Sequence, residues 1–226
     1  MLIPVEKVLN EELVEQCRHL LAAEPWQNGQ LSAGGLAVHV KANQQLADDS
    51  DTAIKIRNTV LQALSNQPLF VSAALPKKIF PPKFNRYQNG GHYGLHVDNA
   101  IMSLPSGEPL RTDLSATLFL SNPDEYEGGE LLIETQYGAQ SVKLAAGDLI
   151  LYPSTSLHEV KPVTSGERTC VFFWVESLVR DSQQRELLFD LDQSIQALTL
   201  SNGADNTEVH RLSGIYHNLV RRWADS

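Results

Sequence analysis

Phe84-Asn85-Arg86-Tyr87-Gln88-Asn89-Gly90-Gly91-His92-Tyr93-Gly94-Leu95-His96-Val97-Asp98 decides how the rest of the chain is read. A strand sends alternate side chains to the same face, so His96 and Asp98, two apart, point one way while Val97 points back into the sheet. A third imidazole, His158, follows after several more strand-like runs, an interval over which a sheet can fold back on itself. Two histidines and one carboxylate on one side of a metal ion leave its other positions open. Ten residues further on, Arg168 carries a planar fork suited to a carboxylate.

The triplet alone is weak. With seven histidines and twelve aspartates in 226 residues, an H-x-D match arises by chance about 0.4 times, and a lone histidine is ordinarily a capping or core imidazole. The weight comes from order: R-Y-x-x-G-x-x-Y-x-x-H-x-D over 86–98, E-G-G-E-L over 127–131, G-D-L-I-L-Y-P over 147–153, then His158, then Arg168. An open-sided two-histidine, one-carboxylate set is typical of non-haem Fe(II) oxygenases.

Over residues 78–178 these motifs resemble the PKHD-type (prolyl/lysyl-hydroxylase-like) Fe(II)/2-oxoglutarate dioxygenases, most closely their bacterial single-chain branch. The resemblance implies that His96, Asp98 and His158 are catalytic and ligate Fe(II). It implies that Arg168 binds the distal carboxylate of 2-oxoglutarate, that Tyr87 lines the co-substrate pocket, and that L-ascorbate is an accessory cofactor. It also implies the outcome, hydroxylation of an unactivated C–H bond with release of succinate and carbon dioxide. Where some relatives carry a tyrosine facing the co-substrate, this chain reads Ala116-Thr117-Leu118-Phe119-Leu120, which makes Thr117 a candidate second partner for that carboxylate. Retention of Asp98 separates the chain from halogenating relatives, which lack the carboxylate. The rival reading is a non-enzymatic metal-binding jelly roll, a sensor or storage module. A closed structural metal site, however, needs neither an open side nor Arg168.

At 226 residues the chain can bury one sizeable core without staples. Cys17 and Cys170 read as buried reduced thiols, and no apolar run reaches the ~18 residues of a membrane span. The expected location is cytoplasmic, with no basic leader segment at Met1–Lys7. A net charge of −9 argues against a nucleic-acid partner.

Asn10 caps a helix with Leu9 stapling onto Val14, and Asp48–Asp51 opens a second helix; both are expected on one outer face of a sheet. Leu36–Val40 reads as a short strand, with His39 an ordinary member of it. Strands are expected near 69–74, 78–88, 93–98, 114–121, 130–136, 139–144, 148–152, 158–163 and 169–176. The fold class is therefore α+β, a double-stranded β-helix (jelly roll) with packed N-terminal helices and a C-terminal helical extension. The division is 1–176 for the dioxygenase domain and 177–226 for the extension. Two amphipathic helices in that extension must bury their stripes, and a homodimer through them is one outcome.

Residues 99–111 read as a lid or a connector beside the metal. Arg86 and Arg111 read as structural ion pairs or as contacts to an acidic substrate group. Strict alternation places Tyr93 in the core, away from His96, and puts His92 on the same side as His96. The substrate is a small molecule or a peptidyl side chain.

Overall fold

The computed structural model describes residues 1–29 and 40–225. The strand expected over 36–40 and the placement of His39 lie outside the described residues, Val40 excepted. The chain opens with β1 (Ile3–Val5) and α1 (Glu11–Ala22), followed by the two-residue strands β2 (Gln27–Asn28), β3 (Lys41–Ala42) and β4 (Gln44–Gln45). Next come α2 (Asp51–Ser65) and α3 (Pro68–Ala74), then β5 (Pro76–Ile79), β6 (Lys83–Gln88) and β7 (His92–His96). The middle of the chain is all strand: β8 (Ile101–Ser103), β9 (Pro109–Arg111), β10 (Leu114–Phe119), β11 (Tyr126–Gly128), β12 (Leu131–Thr135), β13 (Gly138–Val142), β14 (Leu149–Pro153), β15 (His158–Val160) and β16 (Val163–Ser177). Helices α4 (Ser182–Asn202) and α5 (Thr207–Trp223) end it.

Nine strands form one sheet along the path β1-β14-β10-β16-β6-β4-β2, with β5 and β11 also pairing with β16; five form a second, β13-β12-β15-β7-β3. Alternation along β10 explains the layers. Leu114, Ala116 and Leu118 join Val171, Phe173 and Val175 of β16 in a cluster with Val14, Leu21, Ile56, Val60 and Leu64 of α1 and α2. Phe119 instead joins Ile150, Tyr152, Leu131, Ile133 and Val160, a cluster drawn from both sheets. The larger sheet is thus buried on both faces. Truncating a fully buried residue such as Leu118 to Ala would cost about 2–5 kcal/mol.

Local chemistry sets the helix starts. Asn10, Ser50, Asp181 and Asn206 each accept a backbone N–H in the first turn of α1, α2, α4 and α5. The expected strand at 69–74 is instead α3. Pro68 supplies a preset φ at its first turn, Phe70, Ala73 and Ala74 bury one face, and Leu75 closes it in the left-handed region at φ 42°. The strand expected over 78–88 is split into β5 and β6, with Pro81-Pro82 between them, and residues 101–111 form a β8–β9 hairpin rather than a bare loop. β16 runs 15 residues, well beyond the 169–176 expected. Val179 and Leu188 pack with Leu75 and with Tyr216, Leu219, Val220 and Trp223, so α4 and α5 cover each other and the end of α3. No helix among the described residues is long and apolar enough to cross a membrane.

Candidate active site

Strands β7 and β15 pair antiparallel with His96 directly opposite His158, and Asp98 follows two residues after His96. The imidazole rings lie 4.2 Å apart, and one ligand atom from each of His96, Asp98 and His158 falls within 4.8 Å of the others. Among the described residues this is the one cluster able to hold a metal ion. Each histidine is oriented from behind. His96 Nδ1 lies 2.8 Å from the Gly94 carbonyl and His158 Nδ1 lies 3.0 Å from the Ser156 carbonyl. A carbonyl only accepts, so each Nδ1 carries the proton and each Nε2 keeps a lone pair for metal. Burial, with neighbouring His158, pushes His96 down to about 4, so its imidazole is neutral at neutral pH.

Asp98 is steered from the other sheet. Ser115 Oγ donates to its Oδ2 at 2.6 Å, the same oxygen that lies 3.7 Å from His158 Nε2. Ser115 also pairs with Ser154 at 2.7 Å; because its hydrogen goes to Asp98, Ser154 must be the donor there.

The register also corrects the expectation for Tyr93. Tyr93 and His96, three residues apart, face Val160 and His158, two apart, so β7 carries one extra residue. That bulge reverses the alternation, and Tyr93 stacks on His96 with ring centres 3.6 Å apart and planes at 18°. His92, by contrast, turns its Nδ1 to the Gly90 carbonyl at 3.0 Å and does not line the cavity.

Arg168 and Tyr87 sit opposite one another on β16 and β6, deeper in the cavity of about 120 Å³ that also holds the three candidate ligands. Arg168 is 1% exposed, its guanidinium 5.2 Å from the ring centres of both Tyr87 and Phe119. Its guanidinium faces the Tyr126 hydroxyl, yet Nε, Nη2 and that hydroxyl all lack a partner at hydrogen-bond geometry. A buried cation with two orphaned donors is costly until a carboxylate arrives. Burial pushes Tyr87 upward and Tyr126 up to about 12, so both phenols stay protonated as donors. Thr117 is buried at 7% exposure and lines the same cavity. The donor set therefore fits an open-sided Fe(II), and the Arg168 end fits a carboxylate.

Sequence reasoning missed Tyr126, although it stands one residue before E-G-G-E-L, and it missed Lys41, Asn43, Asn85, Phe172 and Trp174 in the cavity wall. Arg111 is spent on a two-pronged contact with Asp113 at 2.8 and 3.1 Å. Arg86 pairs with Gln44 at 2.8 Å and Glu167 at 3.6 Å and lies over Trp26. Both are structural.

Residues 82–176 match the 2OG-Fe(II) oxygenase superfamily, and residues 182–225 match the PKHD-type hydroxylase C-terminal domain. A PKHD-type hydroxylase of Pseudoalteromonas atlantica is 59% identical over 225 residues, covering 99% of each chain. Among solved structures, a Pseudomonas putida prolyl-4-hydroxylase is 19% identical with a TM-score of 0.54, covering 77% of this chain and 92% of that one. A Trichoplax adhaerens prolyl hydroxylase bound to a hypoxia-inducible-factor peptide fragment is 17% identical with a TM-score of 0.57, covering 82% and 86%. At those identities the two structures speak for a shared fold. With a full-length relative at 59% identity, the chain belongs to the PKHD-type hydroxylases, enzymes of the Fe(II)- and 2-oxoglutarate-dependent oxygenase superfamily.

Proposed function

We propose that His96, Asp98 and His158 hold Fe(II), that Arg168 and Tyr87 hold 2-oxoglutarate, and that the enzyme hydroxylates an unactivated C–H bond of a small molecule or peptidyl side chain. The observation that carries this reading is the juxtaposition, in one cavity, of three converging ligand atoms and a buried guanidinium with two unpartnered nitrogens. When bound, iron with 2-oxoglutarate supplies the oxidising chemistry, releasing succinate and carbon dioxide.

The chain's own part is positioning. The Gly94 and Ser156 carbonyls hold both histidines in the tautomer that presents Nε2. Ser115 fixes the Asp98 carboxylate, and the Tyr93 ring covers one face of His96 against water. Arg168 offers parallel N–H donors to the distal carboxylate, and Tyr87 and Thr117 offer hydroxyls beside it. The two facing sheets support a double-stranded β-helix, with 1–176 as the catalytic domain and 177–226 as an extension. Exposed Leu187, Leu200 and Ile215 on α4 and α5 are in keeping with a homodimer through that extension. We place the enzyme in the cytoplasm, with L-ascorbate as an accessory cofactor.

The test is iron- and oxygen-dependent formation of succinate from 2-oxoglutarate. Arg168→Lys replaces a planar fork by a point charge, so the 2-oxoglutarate constant should rise about tenfold or more while metal affinity holds. Unaltered 2-oxoglutarate dependence would remove Arg168 from the co-substrate site.

A further inference from the structure

Two short alternating runs face the cavity that the metal ligands share. Lys41, Asn43 and Gln45 come from β3, β4 and the residue between them; Lys83, Asn85 and Tyr87 come from β6. Gln45 pairs with Asn85 across the ladder, so the two runs form one continuous wall. Tyr87 belongs to the co-substrate end, but the rest of the wall has no role in the reading above. Beside it on the same sheet face stand Phe172, directly across the ladder from Lys83, and Trp174, packed edge-to-face with ring centres 5.6 Å apart and backed by Phe80.

We propose that Lys41, Lys83, Asn43 and Asn85 recognise a carboxylate and its neighbouring amide on the primary substrate, whose apolar body lies against Phe172 and Trp174. The proposal rests on the site assignment above and names the substrate class for it.

Three observations support it. First, among the described residues the cavity lining holds three cations, Lys41, Lys83 and Arg168, against one carboxylate, Asp98. Fe(II) adds two positive charges and 2-oxoglutarate removes two, so the loaded cavity keeps an excess of two positive charges from its lining alone and of one once Asp48, the ion-pair partner of Lys83, is counted, in a chain of net charge −9. The Lys83–Asp48 ion pair offsets part of this from the surface side, where Asp48 is 56% exposed.

Second, Lys41 is 5% exposed, its ammonium 5.3 Å from the centre of the Tyr93 ring that stacks on His96. Burial, and then the Lys83 ammonium, push it down to about 8, which is the direction an incoming anion would reverse.

Third, both asparagines are 8% exposed and under-bonded. The Asn43 amide faces the Tyr87 hydroxyl, yet neither its Oδ1 nor its Nδ2 reaches hydrogen-bond geometry. Asn85 gives its Nδ2 to Tyr87 at 3.2 Å and leaves its Oδ1 without a partner. Buried amides without partners cost free energy that a ligand's own N–H and C=O can recover.

The experiment uses the full chain with Mn(II) and 2-oxoglutarate, in which no turnover occurs. N-acetyl-L-valine, N-acetyl-L-leucine and N-acetyl-L-phenylalanine, each as free acid and as primary amide, are titrated in by ligand-observed NMR. The acids should bind about tenfold or more tighter than their amides. Lys41→Gln should abolish that preference and Lys41→Arg should keep it; Lys83→Gln, at a less buried position, should weaken it even if Lys41→Gln does not fold. Equal binding of acids and amides, or no binding of any acid, overturns the proposal. It is also overturned if Lys41→Gln weakens 2-oxoglutarate as Arg168→Lys does, because the lysines would then serve the co-substrate. Failure of the wild type to bind 2-oxoglutarate would instead defeat the site assignment on which the proposal rests.

Discussion

Removing the Ser115 hydroxyl should weaken metal binding without touching a ligand. Ser115 is 2% exposed, and its 2.6 Å bond to Asp98 Oδ2 lies in the short range of an O–H group facing a carboxylate. A hydrogen bond to a charged group contributes about 1.5–3 kcal/mol. If most of that holds the carboxylate in its ligating orientation, Ser115→Ala should raise the metal dissociation constant about 10- to 100-fold, or ~1.4–2.8 kcal/mol. Ser154 reaches Asp98 only through Ser115, so Ser154→Ala should cost about threefold or less. Mn(II) titration followed by electron paramagnetic resonance reads both constants, and thermal melting checks that the variants fold. A folded Ser115→Ala protein that binds Mn(II) as tightly as the wild type would show that Asp98 needs no such support.

Gly129 stands directly behind the Arg168 side chain at φ 69°, and a Cβ there would lie 3.0 Å from Arg168 Cδ and 2.8 Å from Val163 Cγ2. Gly129→Ala should therefore raise the 2-oxoglutarate dissociation constant about tenfold and leave Mn(II) affinity nearly unchanged; equal loss of both would point to global damage instead. Truncation at Ser177 removes Val179 and Leu188 and uncovers Leu75, so the shortened chain should aggregate, and a monomer with unchanged melting temperature would show that α4 and α5 are dispensable. The metal-free protein should lose stability as pH falls from 6.5 toward 4. Burial and His158 keep folded His96 neutral in that window, while the unfolded chain takes up the proton. Urea unfolding at pH 7.5 and 5.5 should show a smaller loss for His96→Asn than for the wild type, and an identical loss would contradict it.

Much of the layout was legible because local chemistry and tertiary packing agree. Asn10 reads as a cap from its place before two glutamates, and the runs at 114–121 and 148–152 are apolar enough to be sheet whichever face is buried. Helix α3 was not legible: Leu69-Phe70-Val71 has strand propensity, and it ends on Leu75 in a conformation for which glycine is the usual sign. The three candidate ligands stood out by spacing and residue type. Tyr93 did not, because its facing depends on a one-residue bulge that only the partner strand β15 reveals. The lysine-and-asparagine wall was equally hidden, since β3 and β4 are two residues each and show no period of their own.

The pairing of His96 with His158 has a consequence for motion. These residues are 62 apart in sequence yet sit side by side in the five-stranded sheet, while Asp98 reaches through Ser115 to the nine-stranded one. An ion bound by all three would rivet two neighbouring strands to each other and to the opposite layer, closing a long loop at a single point. Amide hydrogen exchange in β7 and β15 should then slow on metal addition by the full linkage free energy of binding, while exchange in α1 and α2, on the far side of the larger sheet, changes only through global unfolding.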